Sequence, residues 1–83
     1  MSVEERAEYI TYLEGRVIVE KSLRYFDEDG NLITTGLIAE EVEIPEGGRV
    51  EDAIDEARRR LKDRLDKERG EWRRRGAAPV SPV

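Results

Sequence analysis

Val50, Leu61 and Trp72 are spaced by eleven residues, close to three turns of an α-helix. Ile54, Ala57 and Leu65 fall in the same stripe. Six apolar side chains on one face of "VEDAIDEARRRLKDRLDKERGEW" predict one long amphipathic helix. Glu51, Asp52, Asp55 and Glu56 load its first turns and basic residues follow, the charge order that the helix macrodipole favours. Opposite charges recur at i,i+4 in Asp55/Arg59, Glu56/Arg60, Asp63/Lys67 and Glu71/Arg75. Pro45, Gly47 and Gly48 supply the turn that precedes it. Gly70 costs about 1 kcal/mol relative to alanine. The expected bounds are therefore about 49–69, with continuation to 75 left open. A single helix cannot bury its own stripe, so the rest of the chain must supply a surface for it.

The middle of the chain reads as a hairpin. "RVIVEKSLRYF" alternates, with Val17, Val19, Leu23 and Tyr25 on one face and Lys21 interrupting it. "DEDGN" turns the chain, because Asp29-Gly30 or Gly30-Asn31 accepts the positive φ of a tight loop. "LITTGLIAEEVEI" returns, apolar on both faces between Leu32 and Ala39 and on one face at Val42 and Ile44. Gly36 is expected to mark a bulge that shifts the phase.

Residues 1–15 admit two readings. Ser2 with Glu5 makes a capping box, and Val3, Ala7 and Ile10 have helical spacing. Against that, "YITYL" is rich in strand formers and Glu14-Gly15 can close a hairpin into Arg16. A short strand at 9–13 after a loose or briefly helical start is preferred. "GAAPVSPV" carries two prolines and no periodicity. The expected fold is α+β: a small antiparallel sheet of two to three strands, its hairpin centred on 27–31, packed by one C-terminal helix. Residues 1–76 form one domain and 77–83 a flexible tail. The order strand, "DEDGN", strand, "VEDAIDEARRRL" resembles the small antitoxin domains of the HicB type over about residues 16–61. The connection usual between sheet and helix in that family is missing, and the resemblance assigns no membership.

Composition removes much of the chemistry. The 83 residues contain no cysteine and no histidine, which excludes disulfides, thiolate nucleophiles, Cys/His zinc sites and imidazole-based triads. The hydroxyls of Ser2, Ser22, Ser81, Thr11, Thr34 and Thr35 therefore lack a histidine to activate them. Lys21 on an apolar face is expected to reach the sheet edge or pair with a glutamate. No enzyme activity, cofactor or small-molecule substrate is expected. Residues 1–15 hold four glutamates and one arginine, and no apolar run approaches a membrane span. The expected location is the cytoplasm, with no membrane partner. Charged residues are 42% of the chain, with no glutamine and one asparagine. Such a composition suits a thermophile, a GC-rich genome or a designed chain equally.

Three constellations invite function. Asp27 and Asp29 resemble a calcium loop, but with Gly30 at the sixth position the loop would begin at Tyr25 and end at Gly36 without carboxylates. Glu40, Glu41, Glu43 and Glu46 read as a charged strand edge, because "EGGR" lacks the lysine and Ser/Thr of a phosphate loop. The arginines remain. Residues 1–57 carry 5 basic and 16 acidic groups, and residues 58–75 carry 10 basic and 4 acidic. Arg60, Arg64, Lys67, Arg73, Arg74 and Arg75 are candidate phosphate contacts, while interleaved Asp63, Asp66 and Glu68 point to a solvated helix side.

The expectation for function rests on core size. One helix stripe and one sheet face make a thin core. Ile18 and Phe26, opposite Val17, with Ile33, Leu37 and Ala39 on the partner strand and Trp72 at the helix end, outline a second apolar surface. The expected protein is a non-enzymatic regulatory or accessory binding domain that self-associates as a homodimer, of a kind that phages and mobile elements use against a host machine. The alternative is a nucleic-acid-binding module using the arginine-rich helix.

Overall fold

The computed structural model describes residues 1–77. Three strands, β1 (Ser2–Leu13), β2 (Arg16–Phe26) and β3 (Leu32–Glu43), form one antiparallel sheet in the order β1-β2-β3. A single helix, α1 (Val50–Ala77), lies on one face of it. The α+β architecture expected from the sequence is the one observed, with three strands, the upper of the expected two to three.

β1 corrects the expectation of a short strand at 9–13. It begins at Ser2, and its register against β2 shifts between Glu5 and Glu8. Val3 pairs with Tyr25 before the shift and Ile10 with Val19 after it. Residues seven apart in a regular strand face opposite ways. One extra residue returns Ile10 to the face of Val3, so a bulge produced the helix-like spacing of Val3 and Ile10. The Ala7 amide at the bulge donates to the Ser22 Oγ at 3.0 Å. The bulge also puts Glu5 and Glu8 on the same face, toward the helix. There Glu5 meets Lys21 at 2.6 Å and Glu8 makes a two-bond fork with Arg58, at 3.0 and 2.9 Å. That fork is the main reason the Glu8 carboxyl is held below its ordinary value of 4.5.

The hairpin at 27–31 is organised by Asp27. Its Oδ1 accepts the amides of Asp29 and Asn31, at 2.9 and 2.8 Å, and Gly30 takes φ +80°. These bonds hold the exposed Asp27 carboxyl below its ordinary value, the Asn31 amide foremost. Gly36 is not the bulge. The β2–β3 register slips between Tyr25 and Phe26, which pair with Thr34 and Leu32, and Ile33 is the residue left over. Gly36 pairs regularly with Leu23, and its missing side chain gives room to the Tyr25 ring, which a Cβ there would meet at 3.1 Å.

The core lies between sheet and helix. Val17, Val19, Leu23, Ala57 and Leu61 are at most 1% exposed, joined by Val3, Ile38, Ala53 and Leu65. Each larger side chain so buried contributes about 1.5–3 kcal/mol. Ala53 was missing from the expected stripe, whereas Val50 stands open at its start. The helix also runs past Gly70 to Ala77, beyond the expected 69 and the open limit of 75. Ala77 therefore belongs to the helix and not to the expected tail; the other tail residues lie outside the described part. Trp72 accounts for the extension. Its ring meets Tyr25 edge-on, with centroids 5.1 Å apart and planes at 63°, and its Nε1–H donates to the Phe26 carbonyl at 2.7 Å. These contacts outweigh the local cost of one glycine.

Candidate functional site

The alternation that buries Val17, Val19 and Leu23 points Ile18, Glu20, Ser22, Arg24 and Phe26 to the opposite face of β2. No element of the described chain covers that outer face, since α1 occupies the inner one. Register fixes its layout. Leu37 lies beside Ser22, Ala39 beside Glu20, and Leu32 beside Phe26 on β3; Tyr9 lies beside Glu20 on β1. Leu37 is 65% exposed, and Ile33, Leu32 and Tyr9 are all above half. Of the surface residues expected from the sequence, the register brings Ile18, Phe26, Leu37 and Ala39 to this one side, and Ile33, left over at the slip, is exposed at its end. Trp72 does not join them. It is half-buried against Tyr25 at the end of the core, on the other side of the sheet.

Two residues of this surface went unremarked in the sequence. Tyr9 was hidden because the bulge obscured the phase of β1, and Leu32 because the slip at Ile33 brings it beside Phe26. The charges here differ in how they are used. Arg6 pairs with Glu4 at 3.1 Å and Arg16 with Glu41 at 2.7 Å. Glu20 and Arg24 make no ion pair or side-chain hydrogen bond among the described residues. A shallow depression of about 300 Å³ surrounds Ser22, bordered by Arg6, Tyr9, Arg24 and Thr35. Its size is at the floor of the range for ligand pockets, roughly 300–1,000 Å³.

The arginines of α1 serve another purpose. Arg58 grips Glu8, Arg64 donates to the Ala39 carbonyl beside Glu40, and Arg69 donates to the Val3 carbonyl at 3.3 Å. β1 and β3 are the sheet's two edge strands, so these side chains reach round from the helix to both edges. A carbonyl occupied this way is withdrawn from pairing with a foreign strand. Arg60 pairs with Glu56 on its own helix, at 3.2 Å. Of the six candidate phosphate contacts, Arg60 and Arg64 are thus engaged internally. Lys67, Arg73, Arg74 and Arg75 are exposed and make no ion pair among the described residues, although the Arg73 Nε–H donates to the Arg69 carbonyl at 3.4 Å.

At the same end of the molecule the Tyr25 hydroxyl donates to the Glu68 carboxylate at 3.1 Å. Burial, and then this bond, push the Tyr25 hydroxyl above its ordinary value of 10. Among the described residues no group of three or more acidic side chains is placed to hold a metal ion, and no helix is long and apolar enough to cross a membrane. Neither a family model, nor a curated protein, nor a solved structure matches this chain.

Proposed function

We propose that this chain is a non-enzymatic binding domain, regulatory or accessory in role, that works as a homodimer through the outer face of its sheet. The observation that carries the reading is the uncovered face with Leu37 at its middle, 65% exposed, and Ile33 and Leu32 near one end. Apolar patches of this extent favour a partner. A second copy suits the available area. Three strands about 4.8 Å apart and eleven residues long present roughly 500 Å² in projection, which is small for a stable interface and fits a weak, reversible dimer. The guarded strand edges favour docking face to face over addition of a strand.

Light scattering on a size-exclusion column, from about 5 μM to 500 μM, tests this. The molecule measures 55 × 20 × 18 Å, so elution volume alone would overstate its mass. The expected result is a mass that rises toward twice the chain's with concentration, and a Leu37→Glu variant that stays at one. A wild-type chain that remains monomeric throughout removes the reading. The nucleic-acid alternative retains one observation, the exposed Arg73, Arg74 and Arg75 in the last turns of α1. Oligonucleotide binding below about 1 μM near physiological salt, lost when all three become alanine, would exceed non-specific contact and favour it.

A further inference from the structure

The outer face of β2 reads Ile18, Glu20, Ser22, Arg24, Phe26, and this order is complementary to its own reverse. We propose that two copies dock sheet to sheet about a two-fold axis that lies across the strands and passes over Ser22. This rests on the self-association proposed above and specifies its geometry.

The argument is one of register. Rotation about such an axis brings residue 22+n of one chain opposite residue 22−n of the other. Arg24 then faces the copy's Glu20, and Glu20 faces the copy's Arg24. Phe26 faces Ile18 at both ends, and small Ser22 faces Ser22 at the centre. Leu37, beside Ser22, meets its own counterpart. Glu20 and Arg24, which have no partner among the described residues, thus find each other, and Phe26 meets Ile18. On the flanking strands Tyr9 faces Glu4 and Leu32 faces Glu41, and the interface is isologous, with each contact made twice. Packed sheets lie about 10 Å apart with side chains interdigitating, and an arginine spans much of that gap.

Other placements fail on the same residues. An axis parallel to the strands sets Arg24 over Arg24 and Glu20 over Glu20. Centring on Glu20 stacks that carboxylate on itself and places Arg24 over Arg16. Centring on Arg24 stacks the guanidinium groups. Moving the centre half a step, to the level of Lys21, sets Arg24 over Ile18 and Phe26 over Arg16. Like charges face to face oppose association, so the axis over Ser22 is the placement that pairs every outward residue from 18 to 26 favourably.

Charge reversal with rescue tests the geometry. Arg24→Glu and Glu20→Arg are each measured alone, then mixed in equal amounts, then combined in one chain, using sedimentation or light scattering for the dimer constant and circular dichroism for the fold. Each single variant is expected to weaken dimerisation by at least about tenfold. The mixture forms a heterodimer and the double variant a homodimer, each within about threefold of wild type, because both restore opposite charges at both contacts. A wild-type dimer that neither single variant weakens, or whose loss neither mixture nor double variant repairs, overturns the axis over Ser22 while leaving self-association standing. A monomeric wild type removes the self-association reading itself. If the double variant is misfolded by circular dichroism, the mixture of two folded single variants decides.

Discussion

Two faces of one strand differ in composition and meet different fates. On the inner side of β2, Val17, Val19 and Leu23 are at most 1% exposed. On the outer side Ile18 and Phe26 stay half-open, with Leu37 beside them at 65%. The inner side is apolar but for Lys21, the outer side is apolar at its two ends and polar between them, and both carry charge. The inner interruption, Lys21, is answered inside the chain by Glu5 at 2.6 Å. The outer ones, Glu20 and Arg24, are not answered among the described residues. An apolar face whose charges are internally matched belongs to the fold. A face whose charges have no partner among the described residues is the one proposed above for association.

The sharpest way to break this comparison is to empty the inner face. Leu23→Ala and Leu61→Ala are each expected to cost about 2–5 kcal/mol, a large part of the roughly 5–15 kcal/mol that holds a domain folded. Urea melts measure it, and wild-type midpoints in both variants would show that the core lies elsewhere. Trp72→Phe should cost about 1–2 kcal/mol, since it leaves the Phe26 carbonyl without its donor while keeping an aromatic edge against Tyr25. A thermal melt indistinguishable from wild type would place Trp72 outside the core.

A smaller effect belongs to the fork at the bulge. Glu8→Gln should lose about 0.2–1 kcal/mol at neutral pH, because the pair is partly solvated. The Glu8 carboxyl is depressed in the folded chain. Its contribution is therefore complete above 4.5, its ordinary value, and disappears as the pH falls through the depressed one. Melts of the two proteins should differ at pH 7 and converge in strong acid; a gap that stays constant down to pH 2 would sink the assignment. The smallest change in stability is expected on the outer face. Leu37→Ser, melted at a dilution where the chain is monomeric, should stay within about 0.5 kcal/mol of wild type, even as its dimer disappears at high concentration. A large loss in the monomer would mean that the two faces are not separable.

The sequence made the helix and the central hairpin legible because each rests on local periodicity. Val50 to Trp72 repeats at the helical interval, Val17 to Tyr25 at the strand interval, and Asp29-Gly30-Asn31 marks the turn. β1 was misjudged because its bulge changes the interval halfway along, and no local signal separates a bulged strand from a helix at Val3, Ala7 and Ile10. The end of α1 was set too early because the contacts that carry it past Gly70 come from Tyr25 and Phe26, some 45 residues away. The outer surface was largely readable, since alternation alone places Ile18 and Phe26 opposite Val17. Its spacing from Leu61 placed Trp72 in the helix stripe, where it packs against the core; grouping it with the outer surface as well did not hold, because its hydrogen bond to Phe26 depends on tertiary packing. The edge contacts of Arg58, Arg64 and Arg69 were unreadable for the same reason: their partners are a side chain and two backbone carbonyls on strands far away in the sequence.

The placement of those three arginines has a consequence for synthesis. All three strands are complete by Glu43, but the arginines that touch the sheet's edge strands, one at a side chain and two at a carbonyl each, lie between Arg58 and Arg69. A ribosome adding roughly 5–20 residues per second needs on the order of seconds to extend the chain from β3 to the end of α1. Until α1 docks, a sheet of these three strands has two bare faces and two open edges. Docking of α1 covers one face and brings the arginine contacts to both edges in one step. The period before α1 docks is the time when neighbouring nascent chains on one message are most able to pair wrongly.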